Sequence, residues 1–301
     1  MDGILIIDKP AGITSHDVVS RVRRILKTKR VGHTGTLDPF ATGVMVILVG
    51  QATRLAQFLD KDEKEYEALV RFGFETDTGD RTGVRNAECG MRNEELADLN
   101  GRTDWDDVFS TFRGEIEQVP PMYSAKKVDG KKLYEHARKG EMIERKPIRI
   151  TIFELELVNS SLRTLPSALR VRVLCSAGTY IRTLAEDIGR KVGVGAHLDE
   201  LKRTRAGKFT IDMALTLEQL EALTTPSSAL LPMSEAVSHL PQFVLEDDRV
   251  AKTRNGMSTR VYDAAFADQE VLQMVTATNE MVAIGFYNAA ENTVQPKVVL
   301  I

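Results

Sequence analysis

The sequence predicts an α+β fold: a mixed, largely antiparallel sheet flanked by helices, with a small β domain at the C-terminus. Three patterns carry that expectation. Glu65–Phe72, Arg149–Val158 and Leu169–Ser176 alternate apolar and polar side chains, as antiparallel strands with one solvated face do. After Thr14 and Ser15, the residues Val18, Val19, Val22, Ile25 and Leu26 fall on one face of a helix. From about Pro241, short apolar alternations separated by Asn, Asp and Gly read as a β domain of about 60 residues.

In chain order, Gly3–Ile7 reads as a short apolar strand that ends in the turn Asp8-Lys9-Pro10-Ala11-Gly12. Thr14 or Ser15 caps the helix that follows. Its remaining face and its exit are basic through Arg21, Arg23, Arg24, Lys27, Lys29 and Arg30, so it can dock on a core and still face phosphate. A loop around Asp38 leads into the apolar strand Val44–Val49. The stretch Glu75–Leu99, acidic and glycine-rich in its first part, reads as a loop followed by a helix. Ala177-Gly178-Thr179 turns the chain into a helix over Tyr180–Val192, with Tyr180 and Arg182 in its first turn. Val271–Val275, Met281–Tyr287 and Lys297–Ile301 read as strands of the terminal domain.

A chain of 301 residues, 43% hydrophobic and 28% charged, is long enough for one large and one small domain. No apolar run approaches the roughly 18 residues that span a bilayer, and no basic-then-apolar signal segment opens the chain, so the expected location is the cytoplasm. Cys89 and Cys175 lack a CxxC partner, which points away from a disulfide framework or a zinc ribbon. The net charge of −3 hides a sorted distribution: +4 over residues 1–54, −9 over 55–120, +9 over 121–210 and −7 over 211–301. Two basic blocks on an otherwise acidic protein suit a phosphate-binding face. Solvated helix faces are the alternative reading of the same blocks.

Between Arg30 and Arg54 the only formally charged side chain is Asp38. An unpaired carboxylate beside a core strand costs several kcal/mol, so a cation or a reaction has to account for it. Asp38 before Pro39 also fits a helix N-cap, although Gly43 follows within about one turn, too soon for a helix of ordinary length. Arg182, just past a strand-to-helix turn, can reach such a carboxylate and keep it ionised. Residues 118–147 form a distinct segment: Lys126-Lys127 and Lys131-Lys132 flank Gly130, and Tyr123, Tyr134, Arg138 and Lys139 are interleaved with them. Cations for a backbone and aromatic faces for unstacked bases suit RNA. The five histidines are scattered without metal-ligand spacing, and phosphate-cradling, dinucleotide-binding and GxSxG motifs are absent.

The run His33-Thr34-Gly35-Thr36-Leu37-Asp38-Pro39-Phe40-Ala41-Thr42-Gly43 resembles the signature loop of the TruB family of tRNA pseudouridine synthases. Four further segments resemble that family in the same order: Lys9-Pro10-Ala11-Gly12-Ile13-Thr14-Ser15, Asp62-Glu63-Lys64-Glu65-Tyr66, Pro121-Met122-Tyr123-Ser124-Ala125-Lys126 and Gly178-Thr179-Tyr180-Ile181-Arg182-Thr183-Leu184. The resemblance implies a pseudouridine-synthase-like catalytic domain over 1–236, with an RNA-gripping insertion at about 118–147. A small PUA-like β domain would occupy 237–301, acidic where an RNA grip would be basic.

Carried over by position, the resemblance makes Asp38 the nucleophile, Arg182 its paired arginine, and Tyr66 the aromatic on the target uracil and a proton donor or acceptor. His33 would fill the space the flipped base leaves, Tyr180 would line the pocket, and Leu201 would form its apolar wall. Lys9, Arg30, Lys126, Lys127, Lys131, Arg138, Arg203 and Arg205 are the expected contacts to the RNA backbone. The implied reaction breaks the N1–C1′ glycosidic bond of the T-loop uridine, turns the uracil and rejoins it through C5. No atoms are gained or lost, so no cofactor and no metal is called for. The expected partner is the T-arm stem-loop of tRNA, with no obligatory protein partner and a monomeric enzyme. An RNA chaperone or a guide-RNA-dependent subunit is the competing class.

Overall fold

The computed structural model describes residues 1–59, 62–88, 96, 99–124, 126–128, 130–137, 139–141, 143–158, 167–262 and 266–300. Its strands in the first third of the chain are β1 (Gly3–Lys9), β2 (Val31–Thr34), β3 (Thr42–Val49), β4 (Lys64–Phe72), β5 (Phe74–Thr76) and β6 (Arg85–Glu88). There follow β7 (Gly114–Gln118), β8 (Lys127–Val128), β9 (Lys131–Lys132), β10 (Ile148–Leu157), β11 (Ala168–Cys175), β12 (Ala196–Ala206) and β13 (Phe209–Thr210). The C-terminal strands are β14 (Gln242–Val244), β15 (Thr259–Arg260), β16 (Val271–Val275), β17 (Met281–Asn288) and β18 (Thr293–Val299).

Among the described residues nine strands make the larger sheet, in the order β1-β3-β12-β4-β11-β10-β7, with β2 added to β3 and β13 to β12. Every pairing is antiparallel except β3 with β12, which run parallel at Thr42↔Lys202 and Gly43↔Arg203. The unalternating apolar runs of β1 and β3 are explained by burial on both faces. Leu5, Ile7, Met45, Ile47 and Val49 join the core under the helix Ser15–Ile25. Ile4, Ile6, Val44, Val46 and Leu48 pack on the other side with Met281, Ile284 and Val298 of the C-terminal sheet and with Leu300 just after its last strand. That sheet has five strands in the order β14-β16-β17-β18-β15 and its own core of Leu245, Leu272, Met274, Val282 and Tyr287. The architecture is the expected α+β one.

Thr14 is the helix cap: its hydroxyl accepts from Asp17 N, and Asp17 closes a capping box on Thr14 N. The second long helix is Ile181–Lys191, with Tyr180 at its N-cap. The first part of Glu75–Leu99 departs from the expected loop. β5 and β6 pair as a ribbon, closed at its tip because Asp77 Oδ1 accepts from Val84 N at 2.8 Å. Residues 89–95 and 97–98, where the expected helix begins, lie outside the described residues. Within 118–147 the described residues form the two-residue hairpin β8-β9 and a short helix, Leu133–Ala137. No helix among the described residues is long and apolar enough to cross a membrane.

Candidate active site

Asp38 sits between β2 and β3 in a single turn, closed by Ala41 N donating to Asp38 O at 3.1 Å, and no helix follows. The presenting-loop reading therefore holds over the N-cap reading. Four straps hold the turn. Lys9 Nζ donates to the carbonyls of Pro10 at 3.0 Å, Pro39 at 3.1 Å and Ala41 at 2.6 Å. Ser15 Oγ donates to Leu37 O at 3.0 Å and accepts from Leu37 N at 2.9 Å. Gly12 N donates to Pro39 O at 2.8 Å. Arg203 donates from Nη2 to Gly35 O at 2.8 Å and from Nε to Val44 O at 2.7 Å. The loop is thus fixed by backbone acceptors that face two buried cations, Lys9 and Arg203.

Gly43 is required by this arrangement. It pairs in parallel with Arg203 at φ +103°, and a Cβ there would stand 2.2 Å from the Arg203 carbonyl oxygen.

Arg182, 5% exposed, grips Asp38 with two donors, Nε to Oδ2 at 2.9 Å and Nη2 to Oδ1 at 3.2 Å. Such a fork fixes the carboxylate plane as well as its charge. The same guanidinium donates to Thr78 O at 2.8 Å and to Tyr123 O at 2.7 Å, and Asp80 Oδ2 lies 3.8 Å from Nη1. Asp80 is itself built in, accepting from Thr82 N at 2.9 Å, Thr82 Oγ1 at 2.5 Å and Thr78 Oγ1 at 3.0 Å. Burial pushes the Asp38 carboxyl above the usual carboxylate range; Arg182 pulls it back and Asp80 adds to the rise. A third of the Asp38 side chain still reaches solvent, so the acid stands at an opening, backed by a closed wall of protein.

Tyr66 on β4 and Leu201 on β12 are both nearly buried, and both belong to the core cluster that contains Leu37. Burial pushes the Tyr66 phenol upward, while the positive charge of the Arg203 guanidinium pulls it down. His33 is half-buried on β2 opposite Ile47, and the strand runs from it directly into the Asp38 loop. Tyr180, half-buried, is held through its backbone: Gln118 Oε1 accepts from Tyr180 N at 2.8 Å and Gln118 Nε2 donates to Tyr180 O at 3.0 Å.

Two of the expected RNA-backbone contacts are corrected. Lys9 is 0% and Arg203 1% exposed, so neither side chain can meet a phosphate; their donors are taken up by carbonyls of the Asp38 loop. Arg205 is half-buried, with Gly207 O at 2.9 Å and Glu63 at 3.8 Å. Arg30 and Lys131 are exposed, Lys126 is half-buried, and Arg30 Nε donates to Thr53 Oγ1 at 3.0 Å. Arg138 and the side chain of Lys127 lie outside the described residues.

Much of the second basic block is turned inward or neutralised. Arg170 pairs with Glu200, Arg172 with Glu65, Glu154 and Glu156, and Arg190 with Glu75. Ser15, Asp80, Gln118 and the Tyr123 carbonyl had not been expected at the site. Ser15 has a sequence signal, since a second hydroxyl beside the cap Thr14 is free for another task, and Tyr123 lies in a segment that resembles the family.

Comparison with known proteins agrees with this arrangement. Residues 23–181 match the model described as TruB family pseudouridylate synthase (N terminal domain), and residues 182–238 match the tRNA pseudouridylate synthase B C-terminal domain. The chain is 43% identical over 295 residues to a protein of Solibacter usitatus (strain Ellin6076) named tRNA pseudouridine synthase B, covering 95% of each. A protein of the same name from Bacillus pumilus (strain SAFR-032) is 39% identical over 317 residues, covering 100% of this chain and 98% of the other. Among solved structures, one titled "Crystal Structure of a Cbf5-Nop10-Gar1 Complex" superposes with a TM-score of 0.73 at 27% identity, over 99% of this chain and 85% of that one. Another, "Structure of H/ACA RNP bound to a substrate RNA containing 2'-deoxyuridine", gives 0.72 at 26% identity with the same coverage. The strapped loop, its arginine-gripped aspartate and these matches together place the chain in the TruB family of pseudouridylate synthases.

Proposed function

We propose that this chain isomerises the T-loop uridine of tRNA, position 55, to pseudouridine, with Asp38 as the nucleophile. The observation that carries the reading is the two-point Arg182 grip on an aspartate that is closed in behind and open in front. A guanidinium held by carbonyls on two other segments keeps the carboxylate ionised and aimed when a uracil displaces the remaining water. The target uridine has to leave its stack to reach Asp38, at a cost of a few kcal/mol. Stacking on Tyr66, contact with Leu201 and Tyr180, and His33 in the vacated space offset that cost. The ionised Asp38 then attacks the sugar or the base, or promotes elimination at the sugar, and the freed uracil turns and rejoins through C5. The tyrosine hydroxyl serves the later proton transfer.

In this reading residues 1–236 are the catalytic domain, 118–147 the RNA-gripping insertion and 237–301 the PUA-like domain. The enzyme works as a monomer on the T-arm stem-loop, with no obligatory protein partner. Purified protein should convert a bare T-arm transcript, scored by pseudouridine-specific chemical mapping. Asp38→Asn should lose about four to six orders of magnitude in kcat, as removal of a nucleophile does elsewhere. Wild-type-like turnover by Asp38→Asn sinks the nucleophile assignment. No turnover of bare RNA by the wild-type protein favours a guide-dependent subunit.

A further inference from the structure

The helix Ile181–Lys191 carries Arg182 in its first turn, yet its N-cap residue is Tyr180, which makes no side-chain cap. The other long helix starts on the capping box of Thr14. The approach to Tyr180 runs through Gly178, exposed and at φ +86°. What fixes Tyr180 comes from another element. Gln118, 2% exposed at the end of β7, lays its amide along the Tyr180 main chain, accepting from N at 2.8 Å and donating to O at 3.0 Å. One planar group thus pairs with both backbone groups of one residue, as a neighbouring strand would. Turning the amide over would set donor against donor and acceptor against acceptor, so the partner determines its orientation. Tyr180 O also accepts from Leu184 N at 3.1 Å, so Gln118 grips the residue that receives the first bond of the helix.

Gln118 is also where the chain leaves the sheet for residues 119–147. Its backbone pairs with Ile148, Arg145 Nη1 donates to Pro120 O at 3.1 Å, and Tyr123 O accepts from Arg182 Nη2 at 2.7 Å. The entry to that segment therefore meets the start of the catalytic helix twice, once at Tyr180 and once at Arg182.

We propose that Gln118 is a positioning residue for the isomerisation: its amide fixes the Tyr180 main chain and, with it, the first helical turn that aims the Tyr180 ring and Arg182. The inference rests on the reading of this site as that of a uridine isomerase. A plain staple between β7 and the helix would use the same two bonds, but its loss would lower stability and leave the turnover of folded protein unchanged.

The test is kcat and KM of Gln118→Met and Gln118→Glu on a T-arm stem-loop across a pH series. Each rate is divided by the wild-type rate at the same pH, so that the titration of Asp38 cancels. Gln118→Met keeps the side-chain length and loses both bonds; kcat should fall about 10- to 100-fold with KM within about 3-fold of wild type. Gln118→Glu carries its own switch. In the acid form the hydroxyl donates to Tyr180 O and the other oxygen accepts from Tyr180 N, which restores the pattern; in the ionised form an oxygen faces the Tyr180 carbonyl oxygen. Burial keeps the introduced carboxyl protonated above the ordinary range, so its relative rate should be within about 3-fold of wild type at about pH 6 and fall at least about 10-fold by about pH 9.

Urea midpoints at each pH give the folded fraction. Wild-type turnover by folded Gln118→Met, a loss carried by KM, or a Gln118→Glu relative rate that ignores pH overturns the proposal. Should Gln118→Met not fold, the pH series of Gln118→Glu decides; failure of both to fold makes Gln118 a staple and overturns the proposal. No turnover by the wild-type protein overturns the reading of the site itself, and this proposal with it.

Discussion

The cations around Asp38 and the cations of segment 118–147 come from the same residue types and do opposite work. Lys9, Arg182 and Arg203 are almost wholly buried, and each spends its donors on the backbone or carboxylates of this chain. Lys131 is exposed on a short hairpin and Lys139 in the turn that follows the helix Leu133–Ala137. A local count of charge treats the two groups alike. What separates them is the supply of acceptors. The Asp38 loop, with Gly35, Pro39 and Gly43, has carbonyls that no ladder uses, and buried cations satisfy them. Among the described residues no hydrogen bond or ion pair takes up the side chains of Lys131 and Lys139, so these two cations remain available to a polyanion.

The sharpest way to break this contrast is to remove the inner cation that touches Asp38. Arg182→Gln takes away the largest influence opposing burial at Asp38 and leaves the carboxylate facing Asp80. Turnover should fall by about two to four orders of magnitude, the scale of losing a preorganised electrostatic partner. The pH profile adds a sign. In the proposed mechanism activity needs ionised Asp38, whose carboxyl already lies above the ordinary range, so kcat/KM of the wild type should fall on acidification before an exposed aspartate would protonate. In Arg182→Gln that acidic limb should move to still higher pH. A limb that stays put, or moves down, means Arg182 does not govern the charge of Asp38.

Lys9→Met tests the inner group through stability. The change leaves the Pro10, Pro39 and Ala41 carbonyls without their donor, and unfolding in urea should show a loss of about 1–3 kcal/mol near neutral pH. Burial lowers the Lys9 ammonium to about 8, against 10.5 for an ordinary lysine. Between those two values the unfolded chain binds more proton than the folded one, so the wild type should gain stability with rising pH relative to Lys9→Met. A flat difference between pH 8 and 10.5 denies the buried ammonium.

Much of this was legible in the sequence, for reasons that differ by residue. Asp38 stood out because it was the only charge in a long stretch, and Arg182 because a strand-to-helix turn limits where its side chain can reach. The helix Ser15–Ile25 followed from its apolar period and its capping box. The burial of Lys9 and Arg203 is not legible in the sequence, because it depends on which distant carbonyls arrive beside a cation, and one of those partners lies 168 residues away. Asp80 was hidden in an acidic stretch whose ribbon is closed by pairing of β5 with β6, which alternation over three or four residues cannot announce.

The smallest effect belongs to the outer cations, and it is the one that decides whether the contrast is real. Lys126→Ala with Lys131→Ala removes two cations from the segment that reaches the active site through the Tyr123 carbonyl, 2.7 Å from Arg182 Nη2. If these lysines meet phosphates, affinity for the T-arm should drop several-fold at moderate salt, and the slope of log Kd against log salt should shrink by about one for each phosphate no longer neutralised. The rate at saturating RNA should stay within about twofold, because phosphate contacts of this kind strengthen ground state and transition state alike. Fluorescence titration across a salt series, paired with single-turnover rates, separates the two quantities. An unchanged salt slope with a slowed rate would put these lysines with the inner group, acting on Arg182 through Tyr123 instead of on RNA.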